Sequence, residues 1–164
     1  MPCSVRRIIT MLGVSLFAIG CAPASGHRMS PAPAAARQAV NPPSIAPLVA
    51  AYSVAIRAGD QVFVSGLTGA KPGTQNIVDG GIGPQTRQTL ENIRTVLQAA
   101  GATMSDVSEC TVFLVDMADY AAMNAVYIEF FRVDPPARAT LAVTALPRPA
   151  ARVEIKCSAQ IARR

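Results

Sequence analysis

Residues 109–115, read as Glu-Cys-Thr-Val-Phe-Leu-Val, restrict the possible folds more than any other part of this chain. Apolar residues occupy both sets of alternating positions, so a strand here is expected to be buried on both faces. A segment with the period of an amphipathic helix flanks it on each side. The sequence therefore predicts a central strand, with helices covering one face of its sheet and another surface covering the second face.

The two flanking segments read as helices. The first begins near Pro84, a residue suited to a first helical turn, and it stops at Gly101. The second has a plausible start at Asp116 and Asp119, whose carboxylates suit a helix N-terminus, and it ends at Pro135. The positions that define the two stripes are Leu90, Ile93, Val96, Leu97 and Ala100, then Tyr120, Met123, Asn124, Tyr127, Phe130 and Phe131.

Four further segments read as strands. Residues 52–57 and 61–65 form a hairpin around a turn at 58–60, and two more strands cover 138–143 and 152–161. This order predicts an α+β sandwich, with a mixed sheet and two helices on one face. The last strand alternates apolar and polar residues, so the second sheet face mixes both types. Such a face is a candidate for contact between copies of the chain.

The N-terminus reads as an export signal at residues 1–20. Two arginines precede an apolar run at 8–20 that is too short to span a bilayer. The Ala-Ile-Gly before Cys21 resembles a bacterial lipoprotein cleavage box, which makes Cys21 the lipidated first residue. An ordinary cleaved signal and a cytosolic start at Met29 remain alternatives. We expect an exported protein at the periplasmic face of a membrane, held only by a lipid anchor, or a soluble periplasmic protein.

Residues 21–47 are rich in proline and alanine and have no apolar periodicity, which predicts a tether before a folded domain at 48–164. The single histidine, His27, lies in the tether, so the domain has no histidine acid–base chemistry. The net charge is +5, but the arginines are scattered, without basic runs or interleaved aromatics. This pattern argues against a nucleic acid partner.

Two cysteines remain in the domain, Cys110 and Cys157, and both lie in the middle of predicted strands. An exported compartment permits a disulfide between them if the strands are neighbours. Buried free thiols are the favoured state, because cysteine is a common core residue. No cysteine or histidine spacing predicts a metal site.

Arg138 stands alone among small apolar residues at the start of a strand. It is either a docking point for a carboxylate or phosphate, or a solvated strand-end arginine. The other polar candidates of the domain are Tyr52, Ser65, Asn124, Glu154 and Lys156. Such a set is able to bind a small carboxylate, but these residue types alone do not define an enzyme.

Several motifs carry a resemblance to a known family. They cover residues 59–60, 62–66, 89–93, 100–101, 111–117, 123–127, 130–131, 136–138, 146–147 and 153–155. Over about residues 50–162 the sequence resembles the YjgF/RidA family. The resemblance implies a chorismate-mutase-like α+β sandwich that forms homotrimers, with the sheets facing inward and the clefts lying between subunits.

The resemblance also implies an activity, the hydrolysis of reactive 2-imino and enamino acids to 2-oxo acids and ammonia without a cofactor. Arg138 matches the arginine that holds the substrate carboxylate. Tyr52, Ser65 and Asn124 match substrate-binding positions of the family.

The chain departs from the family at Lys156, where active members commonly carry the second glutamate of Val-Glu-Ile-Glu. The change removes the expected base and adds a cation, which itself acts as a base only if its pKa is lowered near Arg138. Two functions follow: a deaminase with Arg138 and Lys156 in its catalytic site, or a non-catalytic protein that binds small carboxylates or a partner. A ribonuclease role, attached to some family members, gains little support from the scattered arginines.

Overall fold

The computed structural model describes residues 36–45 and 51–162. The chain divides into two units, Met1–Pro33 and Ala34–Arg164, and the described residues all belong to the second unit. The predicted signal peptide, Cys21, His27 and most of the predicted tether lie outside the described residues. The elements are β1 Arg37–Val40, β2 Ala55–Ala58, β3 Gln61–Val64, β4 Leu67–Thr68, α1 Ile82–Ala99, β5 Val107–Leu114, α2 Tyr120–Phe130, β6 Ala137–Ala142 and β7 Val153–Gln160.

The described strands form one mixed sheet in the order β1-β2-β3-β7-β5-β6, and β4 pairs with the far end of β7. Strands β5 and β6 are parallel, and α2 makes the crossover that a parallel pair requires. All other strand pairs are antiparallel, including the predicted hairpin of β2 and β3. The predicted α+β fold with a mixed sheet is confirmed.

The core lies between the two helices and one face of the sheet. Leu90 and Ile93 of α1, Met123 of α2, and Val112 and Ile155 of the central strands are fully buried. Each such side chain contributes about 1.5–3 kcal/mol by leaving water. Among the described residues, no helix is long and apolar enough to cross a membrane.

The second face of the sheet has no cover within the described residues. Phe63 of β3 and Leu141 of β6 are each 46% exposed, and Lys156 of β7 is exposed beside them on the central strands. Burial along β7 alternates as predicted, with Val153 and Ile155 inside. The mixed apolar and polar character expected of this face is confirmed.

The tether prediction is wrong for residues 37–40, which form β1 and pair with β2. An edge strand obtains its order from backbone hydrogen bonds to its neighbour, so it needs no apolar alternation. Only Val40 of this strand is buried, with Ile45 shortly after it. The folded unit consequently begins well before the predicted boundary at residue 48.

The favoured prediction of free thiols at Cys110 and Cys157 is also wrong, because the two residues form a disulfide. They are direct partners in the antiparallel pair of β5 and β7, and their Cα atoms lie 4.1 Å apart. Both point into the core. The two cysteines are separated by 47 residues in the sequence, so no local pattern predicts their pairing. Only the register between the two strands brings them together.

We expect the double variant Cys110→Ala/Cys157→Ala to lose about 2–4 kcal/mol of the free energy of unfolding, because the cross-link restricts the unfolded chain. Urea unfolding with and without a reductant measures this change. The reductant should destabilise the wild-type protein and leave the double variant unchanged. Equal unfolding midpoints for the wild-type protein in both conditions would contradict the disulfide.

Candidate functional site

A cavity of about 430 Å³ opens where the loop after β1, the segment from β3 to β4, helix α1 and the loop before β7 meet. Its volume falls in the range of small-molecule sites. Its walls combine apolar side chains with a few polar and charged groups. The described residues that line it are Ser44, Ile45, Tyr52, Val54, Ser65, Gly66, Leu67, Thr68, Ala70, Lys71, Thr74, Asn92, Pro147, Arg148 and Glu154.

Glu154 supplies the carboxylate among these lining residues. It lies near the start of β7, opposite Thr68 of β4, and its side chain turns towards Gly66. A Cβ atom at position 66 would stand 2.0 Å from Glu154 Oε1, so any larger residue there would displace the carboxyl group. The Ser65-Gly66 step after β3 is therefore shaped to accept this carboxylate.

The surroundings of Glu154 raise the pKa of its carboxyl group. Burial of the half-buried carboxyl group raises its pKa above the usual value, because water no longer fully solvates the charge. The positive charge of Arg148 lowers the pKa and partly offsets this effect. A carboxyl group with a raised pKa exchanges a proton more readily near neutral pH than an ordinary glutamate does.

Tyr52 and Ser65, both predicted as substrate-binding residues, lie at the same cavity. Ser65 is fixed by two bonds: its hydroxyl donates to the carbonyl of Ser53, and its backbone N–H donates to the carbonyl of Val54, both at 2.9 Å. Tyr52 is 42% exposed. The structure therefore brings these two predicted residues together with Glu154.

Asn92 holds the opposite wall of the cavity in place. Its side-chain amide donates to the carbonyl of Thr68 at 3.1 Å and to that of Ala70 at 2.9 Å, which ties the β4 segment to α1. The side-chain oxygen of Asn92 accepts a hydrogen bond from the side-chain amide of Gln88 at 2.9 Å. Since Asn92 is buried and satisfied on both ends, it acts as a support for the wall.

Arg138 and Asn124 form a second group at β6, on the edge of the sheet. The Arg138 guanidinium donates to Asn124 Oδ1 at 2.9 Å and to the hydroxyl of Tyr120 at 3.0 Å. It also lies over the Tyr127 ring, 4.6 Å from the centroid. Because Tyr120, Asn124 and Tyr127 are spaced by one and two helical turns, one face of α2 holds the arginine.

The aromatic ring of Tyr127, and not its hydroxyl, is the part of this residue that contacts Arg138. Its hydroxyl is buried without a hydrogen-bond partner among the described residues, and burial raises its pKa to about 12 while Arg138 lowers it. Its ring stacks at a tilt against Phe131, with the centroids 4.7 Å apart. A neutral, packed ring offers the guanidinium a fixed apolar face, which leaves its orientation well defined.

Within one subunit, the cavity that contains Glu154 and the group formed by Arg138 and Asn124 lie apart. Arg138 and Asn124 do not line the cavity, and β5 and β7 separate β6 from β3. Glu154 itself lies on β7, two strand spacings or roughly 10 Å from β6, and it faces the side of the sheet opposite to Arg138, which shares a row with the core residue Cys110. Lys156 lies outside both groups, exposed on β7 opposite Thr111. Lys156 does not line this cavity, and its catalytic role stays a prediction.

The structure gives a role to two residues that the sequence left without one. The sequence predicts Glu154 as one polar candidate among several, and it carries no signal for Arg148. The alternation of β7 places Glu154 and Lys156 on the same face, so spacing alone could not separate them. The tertiary structure distinguishes them, because the Glu154 carboxyl group lies against Gly66 at the cavity, whereas Lys156 is exposed and does not line it. Over the described ranges, no group of acidic, histidine or cysteine residues has the arrangement of a metal site.

The fold and the cavity together indicate the class of protein. An α+β domain with an uncovered sheet face and a small-molecule cavity beside its central strands is typical of small ligand-binding proteins and enzymes. A sequence model of the family described as Endoribonuclease L-PSP matches residues 44–161. The chain therefore belongs to this family.

Similar proteins agree with the predicted resemblance to the YjgF/RidA family, which is thereby confirmed. Reactive Intermediate Deaminase A, chloroplastic, of Arabidopsis thaliana is 36% identical over 153 residues, covering 93% of this chain and 81% of that protein. A 2-iminobutanoate/2-iminopropanoate deaminase of Mus musculus is 38% identical over 108 residues, covering 66% and 79%. The crystal structure of E. coli TdcF with bound serine matches with a TM-score of 0.71 and 29% identity, covering 76% and 99%.

We expect Glu154→Gln to reveal the raised pKa through the pH dependence of stability. The folded state holds this proton more tightly than the unfolded state, so the contribution of Glu154 to stability falls as pH rises through the raised pKa. The free energy of unfolding of the wild-type protein, relative to Glu154→Gln, should therefore decrease as the pH rises from below the ordinary glutamate pKa through the raised pKa of the folded state. Urea titrations at several pH values measure it.

The matched control is Glu109→Gln, which removes an exposed carboxylate of β5 outside the cavity. It reports the general effect of losing one negative charge. A free energy of unfolding of the wild-type protein that increases with pH relative to Glu154→Gln would contradict the assignment, since it would mean that the folded state favours the ionised carboxylate.

Proposed function

We propose that this protein is a hydrolytic deaminase that converts reactive 2-imino and enamino acids to 2-oxo acids and ammonia. The observation that carries the proposal is Glu154, a half-buried carboxyl group with a raised pKa that faces a cavity of substrate size. The printed names of the Arabidopsis and mouse relatives support the same reaction class. The serine bound to TdcF supports a ligand with an amino-acid skeleton.

The reaction requires one water molecule, whose two protons both end on the nitrogen. Water adds to the carbon of the C=N bond, Glu154 accepts a proton from that water, and the same proton passes to the imine nitrogen. The hydroxyl of the resulting carbinolamine then gives its proton through Glu154 to the nitrogen, the C–N bond breaks, ammonia leaves, and the C=O bond of the 2-oxo acid forms. Tyr52 and Ser65 line the same cavity, where they help to orient the substrate and the water.

Arg138 binds the substrate carboxylate through its planar guanidinium. Since Arg138 and Glu154 belong to separate groups in one subunit, the complete site forms between Arg138 of one copy and Glu154 of the next. A head-to-tail contact of this kind closes into a ring, and a homotrimer provides three such sites. The uncovered sheet face, with Phe63 and Leu141 exposed, supplies apolar surface for the assembly.

The family description names an endoribonuclease, and this activity receives less support in the present chain. The domain contains no histidine, and its basic residues are scattered. The cavity size suits a small molecule better than an RNA strand. The alternative that we retain is a non-catalytic protein that binds small carboxylates on the same trimeric scaffold.

Mixing two inactive variants tests the shared site. Arg138→Ala and Glu154→Gln should each reduce ammonia release from freshly generated 2-iminobutanoate by about 100-fold or more, because one loses the carboxylate clamp and the other loses the base. When the two are unfolded together and refolded at equal amounts, about a quarter of the sites combine an intact Arg138 with an intact Glu154. The mixture should regain about a quarter of the wild-type rate.

Size-exclusion chromatography of each variant checks that the assembly is intact. A mixture as inactive as its components would exclude a site shared between subunits. Lys156→Gln, assayed in parallel, separates the two candidate bases. It should retain most of the rate if Glu154 is the base, whereas a loss as large as that of Glu154→Gln would favour Lys156. Carboxylate binding without turnover in the wild-type protein would favour the non-catalytic alternative.

We also propose that the protein is exported and lipidated at Cys21. The basic and apolar leader at residues 1–20 supports export, and the disulfide between Cys110 and Cys157 is typical of oxidising compartments. The chain would then reach the periplasmic face of a membrane through its lipid alone, with the Pro/Ala-rich segment as spacer.

Replacing the proposed lipid site, Cys21→Ala, should abolish incorporation of labelled palmitate in a bacterial host, because no other residue offers the thiol of the cleavage box. The variant should also leave the membrane fraction. Mass spectrometry of the purified wild-type protein provides the independent measurement. A chain that retains its first residues, or that begins at Met29, would contradict export through this signal.

A further inference from the structure

The charges around the cavity exceed what a substrate with one carboxylate requires. Lys71 and Arg148 line the cavity, and Glu154 is the acidic residue among the described lining residues. Two cations therefore face one carboxylate at this cavity. In the proposed assembly, Arg138 adds a third cation for the α-carboxylate, so the first two remain for another part of the ligand.

Arg148 is held in a fixed position. It lies between Pro147 and Pro149, and its guanidinium donates to the carbonyl of Gln75 at 2.6 Å. Its own carbonyl accepts a bond from the N–H of Ala151 at 2.9 Å. Prolines on both sides restrict the backbone, so little conformational freedom remains to be lost when an anion binds.

The loop that carries Arg148 is itself anchored to α1. The side-chain amide of Gln85 donates to the carbonyl of Ala150 at 3.1 Å, and its oxygen accepts the N–H of Arg152 at 2.8 Å. Gln85 is buried, so both bonds lie largely out of water. Arg148 is consequently presented to the cavity by a supported loop.

Neither cation is neutralised by a strong ion pair. Within the described ranges, no carboxylate lies within ion-pair distance of Arg148. Lys71 approaches Asp79 at 3.4 Å, but the Asp79 side chain is 97% exposed and the lysine 49% exposed. Such an exposed pair is weak and screened by salt, so a ligand carboxylate competes with it readily.

We propose that the site selects 2-imino acids whose side chain carries a second carboxylate, with Arg148 as the specificity-determining residue and Lys71 as a weaker contributor. This inference rests on the proposed deaminase function. Arg138 of the adjacent copy binds the α-carboxylate, and Arg148 binds the side-chain carboxylate at the other end of the cavity. The reactions that supply such substrates are two-electron oxidations of acidic amino acids, in which a flavin or nicotinamide oxidant accepts the hydride and the Cα–N bond becomes a C=N group beside the α-carboxylate.

The test compares ligands that differ in the second carboxylate. Calorimetry measures binding of the stable products 2-oxoglutarate and 2-oxobutanoate, and ammonia release measures turnover of 2-iminoglutarate and 2-iminobutanoate made in situ by an amino acid oxidase. The wild-type protein should favour the dicarboxylates by about tenfold or more, as expected for one charge-assisted pair. Arg148→Gln should lose this preference, and Arg148→Lys should retain part of it.

Arg132→Gln is the matched control, because it removes the same charge from an exposed position outside the cavity, and it should retain the wild-type preference. Equal affinity for the two oxo acids, no detectable binding of 2-oxoglutarate, or an unchanged preference in Arg148→Gln would each overturn the inference. Turnover of 2-iminobutanoate without a dicarboxylate preference would overturn this inference alone. A dicarboxylate preference in binding without turnover of either imine would overturn the proposed deaminase and leave the selectivity intact.

Discussion

Strands β5 and β7 lie side by side at the centre of the sheet, and the antiparallel pairing between them positions almost everything else. The register places Cys110 opposite Cys157, and the parallel neighbour β6 places Arg138 beside Cys110 in the same row. The disulfide and the fully buried side chains of these strands hold that row under the helices. Since β7 also pairs with β3 and β4, the position of Glu154 against Gly66 depends on the same register.

The sheet distributes the polar groups to two separate places. Glu154, Tyr52, Ser65 and Arg148 meet at the cavity, whereas Arg138 lies on the edge strand against α2. Each group is ordered by its own contacts, so neither needs the other in order to form. A chemistry that uses both then requires a second copy of the chain, and this requirement links the proposed catalysis directly to assembly.

The sequence predicted the helices and central strands well because their signals are local. Apolar spacing located α1 and α2, and alternation located β3 and β7, with errors of a few residues at their ends. Strand β1 was missed because an edge strand is ordered by backbone bonds that leave no apolar pattern. The disulfide state was predicted wrongly because it depends on a register between distant strands. Arg148 was missed because it lies in a loop, where the spacing of residues does not indicate which way a side chain points.

The sequence by itself determined the α+β class, the family and the candidate arginine, since periodicity and local motifs are properties of neighbouring residues. The sequence also contains Glu154 and Lys156 on the same strand, but it does not indicate which of the two belongs to the site. Only the tertiary structure decided that Glu154 faces the cavity and Lys156 does not, because the chain after β3 brings Gly66 against the Glu154 carboxyl group and leaves Lys156 exposed. The separation of Arg138 from Glu154 was decided in the same way, by strand order across the sheet, which no local pattern encodes.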